Sequence, residues 1–147
     1  MKIVVHGNTP FAWTSAVHLA GIGHTVTLCA DWSRCLRTPD AELAREPDLL
    51  TQLHDLVPKG LLTLSSGVGL MAAGTSDVSA DAFAIDQHWL ALGGSADELL
   101  AYAQRLESER GTALAPLVVL SPYPLGTLAR LKQAVDAMVY ALPIFAR

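Results

Sequence analysis

Short apolar runs alternate with longer amphipathic stretches along the whole chain, and this alternation restricts the fold more than any other sequence feature. The short runs predict strands, and the stretches between them have the spacing of helices that cover one side of a sheet. Neighbouring parallel strands need a long crossover connection, which a helix supplies. The alternation therefore predicts an α/β protein with a parallel sheet, built as one domain over residues 1–147.

Glycine, proline and the apolar periodicity define ten elements. Strands are predicted at residues 2–6, 24–30, 61–64, 82–85, 117–120 and 138–142. Helices are predicted at residues 9–20, 40–57, 96–110 and 125–137, the second of them interrupted by Pro47. Six strands with intervening helices predict a Rossmann-type doubly wound sheet with strand order 3-2-1-4-5-6.

Composition and charge exclude several classes of protein. The net charge is −4 and the basic residues are scattered, so no basic surface is expected for a nucleic acid. No stretch reaches the roughly 18 apolar residues that a membrane span needs, and the N-terminus lacks the apolar run of a signal peptide. We expect a cytoplasmic protein with no membrane partner. Cys29 and Cys35 have neither zinc nor redox spacing, so no metal site is predicted and Cys29 is expected in the core.

The turn after the first predicted strand has part of a dinucleotide-binding motif. A G-x-G-x-x-G turn uses its glycines for a tight bend, for close approach of a pyrophosphate and for helix packing. Here the six residues are Gly7, Asn8, Thr9, Pro10, Phe11 and Ala12. Gly7 keeps the bend and Ala12 suits the packing position. Thr9 replaces the middle glycine, where its hydroxyl is placed to cap the helix, and Pro10 removes one N–H donor.

A second determinant of dinucleotide binding is an acidic residue about 20 positions further on, which holds the ribose hydroxyls. The matching position is Ala30, and Asp31 follows it. In a continuous strand Asp31 would point to the opposite face, although a bulge or an early strand end would bring it to the ribose. Asp31 is therefore a candidate ribose contact. Arg34 has two interpretations, a contact to a 2′-phosphate and a solvated loop arginine, of which the second is favoured.

Four stretches in order resemble the NAD-binding N-terminal domain of the UDP-glucose/GDP-mannose dehydrogenase family, the nucleotide-sugar dehydrogenases. The opening residues 1–30 have that family's spacing through the second strand, including Gly23-His24. Glu46-Pro47-Asp48-Leu49 resembles its E-P-G-L element. Residues 118–127 resemble its strand followed by S-T-V-P-x-G-T, and residues 139–145 resemble its sixth strand leading into P-E-F.

The resemblance implies NAD as cofactor and a nucleotide sugar as substrate, oxidised at its C6 hydroxyl in polysaccharide biosynthesis. It also implies a central helix and a second domain with the nucleophilic cysteine, before which this chain looks truncated. Pro124 and Gly126 would shape the nicotinamide side. The family's water-ordering threonine corresponds to Pro122, and the glutamate of P-E-F corresponds to Ile144. The motif is therefore degenerate, and no catalytic residue is assigned.

Two functions remain open from the sequence. In the first, which the four losses at Thr9, Ala30, Pro122 and Ile144 favour, the fold is kept as a module without redox activity that binds a protein partner or forms a homodimer. In the second, the chain is the NAD-binding half of a sugar-nucleotide 6-dehydrogenase that needs the missing domain. His6 is expected to be a packing residue at the end of a buried strand.

Overall fold

Six parallel strands form one sheet in the predicted order. The computed structural model describes residues 1–30, 46–66, 85–110, 115–120 and 123–142. The strands are β1 (Lys2–His6), β2 (Thr25–Ala30), β3 (Leu62–Ser66), β4 (Gln87–Leu90), β5 (Leu117–Leu120) and β6 (Val139–Leu142). Their spatial order is β3-β2-β1-β4-β5-β6, and every pairing is parallel. The doubly wound Rossmann-type sheet is confirmed.

Four helices connect or follow these strands. They are α1 (Pro10–Gly21), α2 (Pro47–Leu56), α3 (Ala96–Arg110) and α4 (Thr127–Ala134). The bounds of α3 agree with its prediction. Helix α2 has Pro47 in its first turn, the position that proline tolerates best, while residues 40–45 lie outside the described parts. None of the helices in these parts is both long enough and apolar enough to span a bilayer.

The sequence-based bounds of α4 and β4 were wrong. Helix α4 is shorter than predicted because Gly126 adopts a left-handed conformation with φ of +89° before it and Val135 is already extended after it. The fourth strand was predicted at residues 82–85, of which 82–84 lie outside the described residues, but the strand that pairs with β1 is Gln87–Leu90. The strand was not predicted because Gln87 and His88 interrupt its apolar character.

The two faces of the sheet carry different helices. Alternate residues of the inner strands, among them Ile3, Val5 and Leu28, pack against α1 and α2 in one apolar core. The opposite face packs against α3 and α4, with Leu90 and Leu117 in a second core. Because side chains alternate along a strand, Val4 and His6 of β1 lie on the face opposite to Ile3 and Val5, and both are buried.

Candidate functional site

The turn between β1 and α1 is held closed by the end of β4. Gly7 has φ of +134° and donates its N–H to the Cys29 carbonyl at 3.0 Å. A Cβ added to Gly7 would overlap the carbonyl oxygen of Ala91, the residue after β4. Glycine is therefore needed here both for the backbone conformation and for the close approach of a second chain segment. The predicted role of Gly7 in bending the turn is confirmed.

The hydroxyl of Thr9 is used twice within the protein. It accepts the N–H of Ala12 at 3.2 Å and donates to the Ala91 carbonyl at 2.8 Å. Thr9 is the N-cap of α1, as predicted, with an extended backbone. Its methyl group lies toward Gly93, so that the side chain fills the space between the turn and the segment after β4.

Few backbone donors remain at the start of α1. Helix N-termini bind anions through their first N–H groups, which have no partner inside the helix. Here Pro10 has no N–H, Ala12 is capped by Thr9, and Trp13 donates to the Thr9 carbonyl at 3.1 Å. Within the first turn this leaves the N–H of Phe11, whose side chain is partly exposed. One such donor provides much less for a pyrophosphate than a glycine turn does.

A cleft of about 500 Å³ lies beside the turn, between α1 and α2. Asn8, Thr9 and Pro10 line it, so three of the predicted cofactor-binding residues share one surface. Trp13 also lines the cleft but is 2% exposed, and its indole N–H donates to the Asn8 side-chain oxygen at 2.9 Å. The indole therefore fixes Asn8 and fills space under the turn.

The charges of the cleft do not favour phosphate. Its lining includes the carboxylates of Glu46 and Asp48, at the start of α2. Among the lining residues that the structure describes, His18 is the one basic side chain. Because carboxylates repel phosphate groups, the electrostatics of this cleft agree with the loss of donors in the turn.

The predicted residues after β5 lie in a separate part of the sheet edge. Pro124 and Gly126 are both exposed, and β4 lies between their strand and β1. Tyr123 connects the two regions by donating its hydroxyl to the Leu92 carbonyl at 3.0 Å. Gly126 occupies the cap position of α4, and Thr127 is buried with its hydroxyl donating to the Pro124 carbonyl at 2.8 Å.

Several predicted residues lie outside the described parts of the chain. These are Asp31, Arg34, Cys35, Pro122 and Ile144. The backbone of Ala30 ends β2 beside β3. The proposed ribose contact of Asp31 and the substitutions at Pro122 and Ile144 therefore remain predictions from the sequence.

A chain of polar side chains that includes two buried histidines lies directly under the turn, and no sequence pattern predicted it. Tyr102 on α3 is 2.6 Å from Nδ1 of His6, and Nε2 of His6 is 2.9 Å from Nδ1 of His88. Both histidines have no solvent-exposed area. The prediction that His6 packs in the core is confirmed. The available signal was one histidine in each of two strands that become neighbours in this strand order.

Cys29 and Tyr102 have strongly raised pKa values. Burial raises the pKa of the Cys29 thiol from its ordinary 9.0 to about 11, and the positive charge of Arg105 opposes this only in part. The pKa of the Tyr102 hydroxyl is also raised, mainly by burial and then by Cys29. Both groups are neutral at pH 7, and Cys29, as predicted, is a free core cysteine that is 1% exposed. No cluster of three or more potential metal ligands occurs among the described residues.

This chain is similar to known proteins in its fold but not detectably in its sequence. No protein-family model matches the chain, and no curated protein sequence matches it. The solved structures that match include a UDP-glucose dehydrogenase from the hyperthermophilic archaeon Pyrobaculum islandicum, at 20% identity and a TM-score of 0.62, and a GDP-mannose dehydrogenase from Pseudomonas aeruginosa, at 20% identity and a TM-score of 0.64.

The matched region is nearly all of this chain but a minor part of the other two. It covers 99% of this chain and 36% of the UDP-glucose dehydrogenase, and 100% of this chain and 37% of the GDP-mannose dehydrogenase. The chain therefore spans about a third of the length of these enzymes. At this level of identity the match shows a common fold, and the fold of this chain is that of one part of two nucleotide-sugar dehydrogenases.

Proposed function

We propose that this chain is a nucleotide-sugar dehydrogenase-like module that has kept the fold of the NAD-binding domain and performs no redox chemistry itself. The observation that carries the proposal is the double use of the Thr9 hydroxyl, which caps Ala12 and bonds to Ala91. A pyrophosphate would have to compete with both bonds and would find no donor at Pro10. Such a module serves a polysaccharide pathway as a binding or dimerising partner.

The alternative function is the NAD-binding half of an NAD-dependent sugar-nucleotide 6-dehydrogenase that acts with a further domain. The complete strand order and the Gly7 bend support it, because both are the framework on which a dinucleotide binds at the carboxyl ends of the strands. The alternative requires that Thr9 gives up its two hydrogen bonds when the cofactor binds.

Calorimetric titration with NAD⁺, NADH and one UDP-sugar separates these functions. We expect no binding of NAD⁺ up to about millimolar concentration, which corresponds to less than about 4 kcal/mol of binding free energy. Micromolar binding of NAD⁺ would favour the alternative and would contradict our account of the turn. Binding of the UDP-sugar alone would indicate that the module retains a nucleotide-sugar site without its cofactor.

A variant of the turn tests the physical reason. The double substitution Thr9→Gly with Pro10→Ala restores an N–H donor and frees the N–H of Ala12, so NAD⁺ binding should become measurable, about tenfold or more tighter than the millimolar limit expected for the parent protein. Thr51→Ala is the matched control, because the Thr51 hydroxyl also donates to a backbone carbonyl, that of Pro47 at 2.8 Å, but on α2. An unchanged affinity in the double variant would show that Thr9 and Pro10 do not limit binding.

A further inference from the structure

The hydrogen bond between His6 and His88 restricts how many protons the pair can hold. The two ring nitrogens, Nε2 of His6 and Nδ1 of His88, are 2.9 Å apart. One nitrogen must donate and the other must accept, so the accepting nitrogen carries no proton. The pair can take up one proton and keep the bond, whichever tautomers it starts from. A second proton turns both nitrogens into donors and breaks it.

Among the described residues, the charged and titratable groups around the pair come from three elements. From β2, Cys29 lies in register with His6. From α3, Tyr102 lies 2.6 Å from His6, while Arg105 acts on Cys29 and Tyr102 and is 3.6 Å from a carboxylate oxygen of Glu109. From β4 comes His88 itself, with its ring centroid 5.2 Å from that of His6. Two imidazolium ions at this spacing, both without solvent contact, would repel each other strongly.

The backbone connects the histidine pair to the turn. His6 directly precedes Gly7, and its carbonyl accepts the N–H of Ala91 at 2.9 Å. Ala91 in turn accepts the hydroxyl of Thr9 and packs on Gly7. Ala91 lies three residues after His88 on the same chain segment. The position of Ala91 beside the turn therefore depends on how β4 pairs with β1.

We propose that the His6–His88 hydrogen bond is an acid-sensitive latch that holds the end of β4 against the turn after β1. Uptake of the second proton breaks the hydrogen bond, separates Ala91 from Gly7 and Thr9, and opens the turn. The latch concerns the closure of the turn and not its ligand, so it is independent of the function proposed above.

Amide hydrogen exchange at pH 7 and pH 5 tests the latch in the intact protein. The amide of Ala91, bonded to the His6 carbonyl, should lose protection at pH 5. The amide of Leu117, bonded to the Met138 carbonyl across β5 and β6, is the internal reference and should keep its protection. If the amides of Ala91 and Leu117 open together at both pH values, the turn has no separate opening and the proposal is overturned.

Histidine variants test whether protonation of the His6–His88 pair causes this opening. His88→Gln keeps a hydrogen-bonding side chain but removes one titrating group, so Ala91 should remain protected at pH 5. Below about pH 6, each unit fall in pH should raise the unfolding equilibrium constant of the parent protein about tenfold more than that of His88→Gln. The reason is that the unfolded parent binds one more proton than the folded parent, in which the bonded pair holds one added proton, and His88→Gln lacks this difference. His18→Gln removes an exposed imidazole and should behave as the parent does.

Direct observation of the two imidazole rings tests the latch in the parent protein, even if His88→Gln does not fold. Nitrogen chemical shifts of the two imidazoles in the parent protein report their protonation. The second proton should appear on the pair over the same pH range in which Ala91 loses protection. Two fully protonated rings with Ala91 still protected would overturn the latch.

Discussion

The two faces of strand β1 differ in how they are stabilised. On one face, Ile3 and Val5 lie among apolar side chains from α1 and α2. On the other face the strand places Val4 and then His6, the residue directly before the turn, and His6 bonds to His88 and Tyr102. The polar side chains of this second face are as deeply buried as the apolar ones of the first: Val5 and His6 are both 0% exposed.

The difference shows which face depends on specific partners. Burial of an apolar side chain is favourable in itself, at about 25 cal/mol for each Å² removed from water. A buried imidazole is tolerated only because it is hydrogen-bonded, and a chain of such bonds fixes the positions of its members. At the end of β1, the first face therefore depends on the amount of apolar burial, whereas the second face depends on hydrogen bonds to particular residues of β4 and α3.

The largest expected effect comes from two neighbouring residues of β2 that face opposite sides. Leu28→Ala removes a fully buried side chain from the apolar face and should lower the free energy of unfolding by about 2–5 kcal/mol. Cys29→Ala removes a single sulfur atom from the polar face and should cost about 1 kcal/mol at pH 7. Urea unfolding of both variants measures the difference.

Ile22→Ala serves as the control for this comparison. Ile22 is 74% exposed, so its loss should change the free energy of unfolding by less than about 0.5 kcal/mol. Equal costs at Leu28 and Cys29 would mean that the two faces contribute alike, which would contradict the comparison.

The next effect is confined to the polar face and to alkaline pH. The Cys29 thiol has its pKa raised to about 11 in the folded protein, so the folded state holds this proton where the unfolded state has released it. This contribution is complete below pH 9 and is lost as the pH rises toward 11. The free energy of unfolding should therefore fall by about 2–3 kcal/mol over that window.

Cys29→Ala should remove this part of the alkaline loss while the part due to Tyr102 remains. Urea unfolding at pH 8, 9, 10 and 11 of the parent and the variant measures it. Parallel curves for the two proteins would show that the buried thiol does not contribute, and the pKa of Cys29 would then have to lie near its ordinary value.

The sequence predicted most of the fold because local patterns and connection rules agree there. The period of α3 and the apolar run of β5 each define an element without ambiguity, and parallel strands with crossover helices leave few possible strand orders. Strand β4 was misplaced because its residues Gln87 and His88 look unsuited to a buried strand. The burial of His88 depends on its hydrogen bond to His6. Because His6 is 82 positions away in sequence, no local window contains both residues.

The candidate site was predicted only where its chemistry is local. Thr9 caps the helix that begins one residue later, so both the cap and the role of Pro10 could be derived from neighbouring residues. The second bond of the same hydroxyl, to Ala91, could not, because it depends on the pairing of β1 with β4. The same is true of the approach of Gly7 to Ala91 and of the acidic side of the cleft on α2.

The smallest expected effect compares two tyrosine hydroxyls. Tyr102→Phe removes the group that lies 2.6 Å from His6 but keeps the ring, over which the Arg105 guanidinium lies at 5.7 Å. Loss of this partly buried hydrogen bond should cost about 1 kcal/mol. Tyr140→Phe is the matched control, since Tyr140 is 52% exposed on β6 and should change stability by less than about 0.5 kcal/mol. Because both changes delete the same atom, the difference between the two urea midpoints isolates the contribution of the buried chain, and equal midpoints would show that the polar face does not depend on this bond.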